Sequence, residues 1–188
     1  ENGVSLLNVV DKCNCPLGAR MLRNWISMPL KDLDQINQRH SVVEYFTKNP
    51  QKRENIEGYM GNVGDLERII SRAAAGKIAP REIVQLKRGL EQMEPIKGVC
   101  AELEGSAAEL GEKIILFNEL YEFIGKNMLS EPANVFGKGD IIAEGVNEEL
   151  DNLRQIARHG KDYLLQVQQR ESERTGIPSL KISYNNVF

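Results

Sequence analysis

Side chains suited to binding phosphate alternate with apolar side chains near the end of the chain. The apolar positions are Leu180, Ile182 and Tyr184, and the polar positions between them are Lys181, Ser183 and Asn185. This period of two predicts a half-buried β-strand that presents a cation, a hydroxyl and an amide on one face. Such donors hold phosphate oxygens without distinguishing base sequence. On the residues alone, an ordinary solvated strand face is favoured over a phosphate contact.

Three cysteines and two histidines are the candidates for metal binding, because thiolates and imidazoles are the usual zinc ligands. They are Cys13, Cys15, Cys100, His40 and His159. The set lacks the paired spacing of a structural zinc site, so we predict no metal site and expect buried or half-buried thiols. An odd number of cysteines without the spacing of a disulfide framework is typical of a reducing cytosol, which predicts a cytoplasmic protein.

Pairs of carboxylates are the candidates for acid and base catalysis. They occur at Glu148 with Glu149 and at Glu171 with Glu173. Both pairs fall on a predicted amphipathic helix, where a solvated charged face is the favoured interpretation. No nucleophile, base and orienting group can be assembled by spacing, and no phosphate-binding loop of the Gly-x-x-x-x-Gly-Lys-Ser/Thr type occurs. We therefore predict no catalytic residue and no cofactor site in this segment, which is not expected to be an enzyme.

Composition favours a helical protein with a core of its own. The 188 residues are 41% apolar, 27% charged and only 6% aromatic, and the formal net charge is −3. This charge argues against nucleic-acid binding by the whole surface but leaves room for a local contact. No signal peptide, lipidation motif or membrane-spanning apolar run is present, so no membrane partner is expected.

A long helix is predicted over residues 146–175. Its apolar or small residues follow alternating steps of four and three, as in a heptad seam: Val146, Leu150, Leu153, Ala157, Gly160, Leu164 and Val167. This pattern is typical of a helix packed along one stripe against other helices. Asn147 is a suitable N-cap, and Gly176 with Pro178 ends the helix. At 1.5 Å per residue the helix would be roughly 40 Å long, enough to connect distant parts of a protein.

The preceding residues predict a mainly α fold, an elongated helical bundle with a small β-hairpin and a truncated C-terminal strand. Helices are predicted over residues 16–28, from Asp32 or Asp34 to residue 49, and over 63–75, 80–103 with an interruption near Pro95, and 107–128. Residues 5–13 fit either a short helix or a strand, and residues 135–142 predict the hairpin. Because the chain starts at Glu1 and stops on the apolar Val187 and Phe188, we expect it to be a piece of a longer protein.

Three stretches together resemble the core domain of the MutS family of bacterial DNA mismatch-repair proteins. The first is LL at residues 6–7 with GARMLRNWI at 18–26 and MPL at 28–30. The second is GDLERI at residues 64–69 with PRE at 80–82. The third is GVNEELD at residues 145–151, RESERTG at 170–176 and SLKISYN at 179–185. The stretches follow the family's order along nearly the whole chain, and residues 97–126 carry only a helical pattern.

The resemblance implies a division of the chain and a function. In such proteins the region is a helical core whose long lever helices connect an ATPase domain to a clamp that grips the DNA backbone. It implies a core and lever domain at residues 1–145, a lever helix leading to the clamp at 146–175, and the truncated start of the clamp domain at 176–188. It also implies that Lys181 and Asn185 contact the DNA backbone, which reverses the preference for a solvated strand face.

The resemblance also implies partners outside this segment. The parent protein would be an ATPase that uses ATP and magnesium in a domain absent here. It would act as a homodimer, bind double-stranded DNA through the clamp and recruit MutL.

A second hypothesis of a different class is a helical protein–protein interaction module. In that case the heptad seam would bind a partner helix or a second copy of the chain.

Overall fold

The chain folds mainly into α-helices, which confirms the predicted fold class. The computed structural model describes residues 3–182, except for the side chain of Lys161, and the statements below concern those residues. In chain order the helices are α1 (Leu6–Val10), α2 (Pro16–Ser27), α3 (Leu33–Lys48), α4 (Pro50–Val63), α5 (Leu66–Ala74), α6 (Pro80–Glu91), α7 (Met93–Ala101), α8 (Ser106–Glu112), α9 (Asn118–Asn127) and α10 (Glu148–Thr175).

Two compact units make up the described residues, and each is treated by itself. The first unit ends at Ile142 and contains α1 to α9, whereas the second begins at Ala143 and contains α10. Among the residues described, no helix is both long enough and apolar enough to cross a membrane.

Several helices of the first unit begin at residues whose chemistry suits a helix start. Pro16, Pro50 and Pro80 occupy the first positions of α2, α4 and α6, where the missing N–H is not needed. Asp32 and Asp65 cap α3 and α5 by accepting a hydrogen bond from the backbone N–H three residues ahead. These starts are set by local interactions, which is why most of them could be predicted.

Buried side chains from α4, α7 and the α7–α8 region form the core of the first unit. The core cluster consists of Val63, Ile96, Cys100, Leu103 and Ala107. Partly buried side chains pack around it: Leu17, Val42, Tyr45, Phe46, Ile56, Tyr59, Leu66, Met93, Val99 and Ile114. Because these positions are spread over a hundred residues of sequence, removing their apolar surface from water holds distant helices together.

Two glycines allow helices of the first unit to approach closely. A methyl group on Gly89 of α6 would lie 2.5 Å from the carbonyl oxygen of Val63 and 2.6 Å from Cδ2 of Leu66. On Gly111 of α8 it would lie 2.5 Å from Cβ of Cys100. Non-bonded carbon atoms prefer separations of about 3.5–4.0 Å, so any larger side chain would push these helices apart.

The helix α4 was not predicted, and the helix predicted over residues 63–75 begins later than expected. Val63 is the last residue of α4, and Gly64 separates α4 from α5 with φ at +73°. The sequence of α4 carries Gly58 and Gly61 and a weak apolar periodicity, so its helical character depends on packing more than on pattern.

The apolar pattern of residues 63–75 predicts that Leu66, Ile69 and Ile70 face inward, and the structure bears this out only in part. Ile69 is 2% exposed, as expected for a side chain facing inward, but Ile70 is 56% exposed. The prediction for Ile70 was therefore wrong. Adjacent residues of a helix point about 100° apart, so a neighbour of a buried residue faces inward only when another element covers its side as well.

The single helix predicted over residues 107–128 is instead two helices. α8 ends at Glu112 and α9 begins at Asn118. Between them, the carbonyl oxygen of Ile114 accepts a hydrogen bond of 2.9 Å from Nζ of Lys97 in α7. This long-range contact satisfies a carbonyl group that a continuous helix would have paired internally, so the break is stabilised by tertiary structure.

The hairpin predicted over residues 135–142 does not form. An isolated antiparallel bridge instead joins Met128 to Ile142, and the N–H of Leu129 donates to the carbonyl oxygen of Ile141 over 2.9 Å. Val135 and Phe136 are 52% and 60% exposed, so no apolar surface covers them. A two-stranded hairpin is marginally stable without such cover, which explains the irregular loop.

The predicted C-terminal strand is likewise not formed in the part of the chain that is described. Residues 180–182 pair with no strand among residues 3–182, and the N–H of Ile182 donates to Oε1 of Gln168 instead. The remaining positions of the prediction, residues 183–188, lie outside the described residues. A single extended segment becomes a strand only when a neighbour accepts its backbone hydrogen bonds, and here a side chain of α10 takes that role.

Candidate functional site

Local interactions define both ends of α10. At its start, Oδ1 of Asn147 accepts a hydrogen bond of 2.9 Å from the N–H of Leu150, as predicted for an N-cap. The N–H of Gly145 donates to Oδ2 of Asp151 over 2.7 Å. At its end, Gly176 adopts φ of +70°, and its N–H donates to the carbonyl oxygen of Ser172 over 2.9 Å. The predicted long helix is therefore confirmed, with its first residue at Glu148.

Charged side chains pair along the surface of α10. Nη1 of Arg154 lies 3.2 Å from Oδ1 of Asp151, and Nε of Arg174 lies 2.7 Å from Oε2 of Glu171. Nη1 of Arg158 lies 3.4 Å from Oε1 of Glu144, which precedes the helix. Pairs spaced three or four residues apart on a helix, such as Arg174 with Glu171, contribute about 0.2–0.5 kcal/mol each to its stability. Of the acidic residues predicted to form a solvated face, Glu148, Glu149 and Glu173 are exposed, whereas Glu171 is half-buried.

The apolar seam of α10 differs along its length. Leu150 near the start and Leu164 and Val167 near the end are half-buried. Leu153 lies between them and is 56% exposed. The middle of the seam therefore gains little from burial in this chain, and the continuity of the helix there depends on its internal hydrogen bonds.

The chain turns back on α10 after Gly176. Oγ of Ser172 donates to the carbonyl oxygen of Ile177 over 2.8 Å, and the N–H of Ile182 donates to Oε1 of Gln168 over 3.2 Å. Ile182, which follows Gly176 by six residues, thus contacts Gln168, which precedes Gly176 by eight. The segment from Ile177 to Ile182 runs beside the last turns of α10.

Lys181 lies on the outer side of this returning segment. It is exposed and its neighbour Leu180 is half-buried, as predicted, but Ile182 is 39% exposed, so the predicted alternation fails at that position. No carboxylate within residues 3–182 lies within ion-pair distance of its ammonium group. The structure does not show Lys181 together with Asn185, because Asn185 lies outside the described residues.

An ion-pair cluster joins the first two resemblance stretches, and sequence reasoning did not predict it. Nη1 of Arg20 in α2 donates to Oδ2 of Asp65 over 2.9 Å, and its Nε donates to Oε2 of Glu67 over 2.8 Å. The side-chain hydrogen bond from Arg20 is the main cause that lowers the pKa of Asp65 to about 2. Because Asp65 also caps α5 through the N–H of Arg68, one carboxylate both starts a helix and fastens it to α2.

Glu82 plays a similar part at the start of α6. Its Oε2 accepts hydrogen bonds of 2.8 Å from the N–H of Ala79 and from Nε of Arg72 in α5. These two bonds, with the backbone N–H first, lower the pKa of Glu82. Asp65 and Glu82 of the second resemblance stretch therefore fix the positions of α5 and α6. The sequence indicated this role of Glu82 only through its place in the first turn of a predicted helix.

The thiols occupy different surroundings. Cys15 and Cys100 are 6% and 5% exposed, as predicted for buried thiols, but Cys13 is exposed, so the prediction was wrong for that residue. Within the described part of the chain, no group of three histidine, cysteine or acidic side chains could hold a metal ion.

Comparison with known proteins identifies the family. The family model for MutS domain III matches residues 1–177. A DNA mismatch repair protein MutS from Phocaeicola vulgatus is 54% identical over 100% of this chain and 22% of that protein. Proteins of the same name from Bacteroides thetaiotaomicron and Porphyromonas gingivalis are 51% and 47% identical over 100% of the chain, covering 22% and 21% of their own lengths. The chain spans about a fifth of the length of these curated relatives. This chain belongs to the MutS domain III family.

Proposed function

We propose that this chain is the core and lever segment of a mismatch-repair protein and couples an ATPase domain to a clamp on the DNA backbone. The observation that carries the proposal is α10, a continuous helix of 28 residues with a side-chain cap at its start and a glycine cap at its end. A helix of that length spans about 40 Å. Family membership supports the assignment of this helix as a lever.

Coupling through such a helix rests on its stiffness. Every interior backbone group of α10 is paired within the helix, so a displacement at one end is carried to the other instead of being absorbed by bending. Nucleotide bound at one end would then bias the open or closed state of a clamp at the other. By linkage, DNA held in the clamp would bias nucleotide affinity by the same factor.

The proposal divides the chain as the resemblance implies. Residues 1–145 form the core and lever domain, residues 146–175 the lever helix, and residues 176–188 the start of the clamp. ATP and magnesium would bind in a domain outside this chain, and that domain would supply the catalytic groups. The whole protein would act in the cytoplasm as a homodimer that binds double-stranded DNA and recruits MutL.

The DNA contact in the proposal falls at Lys181 and Asn185. The exposed ammonium group of Lys181 supports this part, because a cation that meets no carboxylate among residues 3–182 is available to a phosphate. Its place on a segment that returns beside α10 would link phosphate binding directly to the helix.

The decisive test of coupling is the substitution Leu153→Pro in the full-length protein. Proline at the sixth residue of α10 removes a backbone hydrogen bond and clashes with the preceding turn, at a cost of about 3 kcal/mol or more. We expect the effect of ATP on the affinity for duplex DNA, typically about 5-fold to 150-fold for a coupled system, to fall towards none. Equilibrium titration of a labelled duplex, with and without ATP, measures this ratio.

Two control variants separate coupling from general damage. Glu148→Pro places the same ring at the first position of α10, where the preceding Asn147 is already extended and proline is tolerated. Leu153→Ala keeps the helix and removes an exposed side chain. Both should retain coupling. Normal coupling in Leu153→Pro, or equal loss in all three variants, would contradict the lever assignment.

The DNA contact is tested separately by titrating this chain with matched and mismatched duplexes at several salt concentrations. We expect weak binding that fades with salt and ignores the mismatch. Lys181→Ala should reduce the slope of log affinity against log salt by about 0.9, the value for one lost phosphate contact. Lys126→Ala, which removes an exposed lysine of α9, serves as the control.

An unchanged slope in Lys181→Ala, or a clear preference for the mismatch, would contradict the proposed contact. Neither outcome bears on the lever helix, so the two parts of the proposal can fail independently.

A further inference from the structure

Two cysteine side chains before α2 face the same glycine. A methyl group on Gly18 would lie 3.5 Å from Sγ of Cys13 and 3.5 Å from Sγ of Cys15. The N–H of Gly18 also donates to Sγ of Cys15 over 3.4 Å. Both sulfur atoms therefore lie against one point of the backbone, in the first turn of α2.

A disulfide between these two residues is within geometric reach. Residues two apart in sequence have Cα atoms at most about 7 Å apart, and disulfides span Cα distances of about 4.4–6.8 Å. The chain bends at Asn14 and Cys15, between α1 and α2, where no backbone ladder restrains it. Movement of this short loop would bring the sulfurs together.

The three thiols of the chain differ in access to solvent. Cys13 is exposed, so an oxidant in solution can reach it. Cys15 is 6% exposed and lies beside it, whereas Cys100 is 5% exposed within the core cluster of another part of the unit. Access and proximity thus combine at Cys13 and Cys15 and are both lacking at Cys100.

We propose that Cys13 and Cys15 form a redox-active dithiol that closes reversibly to an intramolecular disulfide when the protein meets a hydroperoxide. The sulfur of Cys13 attacks a peroxide oxygen, the O–O bond breaks, and Cys13 becomes a sulfenic acid as the peroxide is reduced to water or an alcohol. The sulfur of Cys15 then attacks the sulfur of Cys13 and expels its hydroxyl group as water. Two thiols lose two hydrogens in total, and a dithiol reductant restores them.

Asp11 tunes the first step. Slight desolvation of the sulfur, followed by the side-chain hydrogen bond and the charge of Asp11 and by the neighbouring Cys15, raises the pKa of Cys13. The thiolate is the reactive form, so the rate of oxidation should rise about tenfold per pH unit while Cys13 remains mostly protonated. Asp11→Asn removes the carboxylate charge, so a larger fraction of Cys13 should be thiolate. At a fixed pH the oxidation of Cys13 by peroxide should become several-fold faster.

Closing the disulfide has a local structural consequence. The sulfur of Cys15 accepts the hydrogen bond from Gly18 that caps α2, and a bridged sulfur must move towards Cys13. The amide hydrogen of Gly18 should therefore exchange faster with solvent in the oxidised chain. This effect would distinguish a disulfide at the cap from oxidation elsewhere.

The test treats the full chain with hydrogen peroxide, alkylates the remaining thiols and examines tryptic peptides by mass spectrometry. Cleavage after Lys12 and Arg20 isolates both cysteines in one peptide. We expect the mass of that peptide to fall by two hydrogens and its cysteines to resist alkylation. Reduction should restore both thiols. The disulfide should form while the thiol of Cys100 can still be alkylated completely.

Two single variants complete the design. In Cys15→Ser the sulfenic acid of Cys13 has no neighbour to attack it, so Cys13 should proceed to sulfinic acid or to a dimer between chains. In Cys13→Ser the thiol of Cys15 should persist. The proposal is overturned if the wild-type chain yields sulfinic acid at Cys13 with Cys15 still alkylatable, if the disulfide joins two chains, or if Cys100 reacts first.

Discussion

In the unit that ends at Ile142, side chains distant in sequence hold the helices together, whereas the helix of the second unit is held by its own neighbours. Val63 of α4 is buried with Cys100 of α7 and Ala107 of α8. Among residues 143–182, setting aside the Lys161 side chain, no residue is buried to that degree. Asn147 and Gly176 instead define α10 from positions that directly adjoin it.

This difference in burial indicates which interactions stabilise the helices of each unit. Packing contributes little to an exposed helix, so its caps, ion pairs and helix propensity determine how often it opens. In a packed bundle the fit between helices outweighs propensity. Substitution of glycine by alanine should therefore destabilise the chain where helices of the first unit pack closely and stabilise it at an open position of α10.

The largest effect is expected for Gly89→Ala in α6. The new methyl group would lie 2.5 Å from the carbonyl oxygen of Val63, and a backbone atom cannot move aside as a flexible side chain does. Overpacking of this kind costs about 1–3 kcal/mol. The midpoint of urea unfolding should fall by a corresponding amount.

Gly98→Ala in α7 is the matched control for Gly89→Ala, because nothing lies within 4 Å of a methyl group at that position. It should leave the midpoint unchanged or raise it. If both alanine variants stabilise the chain, the close approach of α6 to Val63 is not the constraint described above.

A smaller effect of opposite sign is expected for Gly160→Ala in α10. A methyl group there meets nothing within 4 Å, so only the helix propensity changes, by about 0.8–1.0 kcal/mol in favour of the helix. Amide hydrogens in the middle of α10 should exchange about fivefold more slowly. Slower exchange throughout the first unit as well would contradict the view that α10 is stabilised locally.

The smallest effect is expected for Asp65→Asn, which keeps a capping side chain but removes its charge. The pKa of Asp65 falls from 3.8 to about 2 in the folded chain, so its ion pair with Arg20 stabilises the fold above about pH 4. That contribution is lost as the pH falls from about 4 through about 2. The stability difference between wild type and variant should shrink over this window.

The control for Asp65→Asn is Glu122→Gln, which removes an exposed carboxylate of α9. Its stability relative to wild type should stay nearly constant over the same range of pH. Parallel curves for wild type and Asp65→Asn would show that the ion pair contributes nothing measurable, as is true of many exposed pairs.

Prediction from sequence succeeded where neighbouring residues decide the outcome. The cap at Asn147, the stop at Gly176 and the helix start at Pro16 each depend on chemistry within one turn. The exposure of Lys181 followed from its alternation with Leu180. The DNA contact assigned to Lys181 and Asn185 stays a prediction.

Prediction failed where a distant group decides. The break before Asn118 involves Lys97, whose ammonium bonds a carbonyl seventeen residues away. The pairing of Arg20 with Asp65 joins positions forty-five residues apart, and neither residue signals its partner. No local pattern contains such information.

Sequence patterns alone indicate that this chain is mainly helical, that its longest helix stops before Gly176, and that it resembles one family of mismatch-repair proteins. Tertiary structure alone decided that Ile69 is buried while Ile70 is exposed, that Val63 ends one helix before Leu66 begins the next, and that residues 135–142 form a loop. These features differ in the distance along the sequence over which the responsible interactions act. Caps and periodicity act over a few residues, whereas burial depends on which other element covers a side chain.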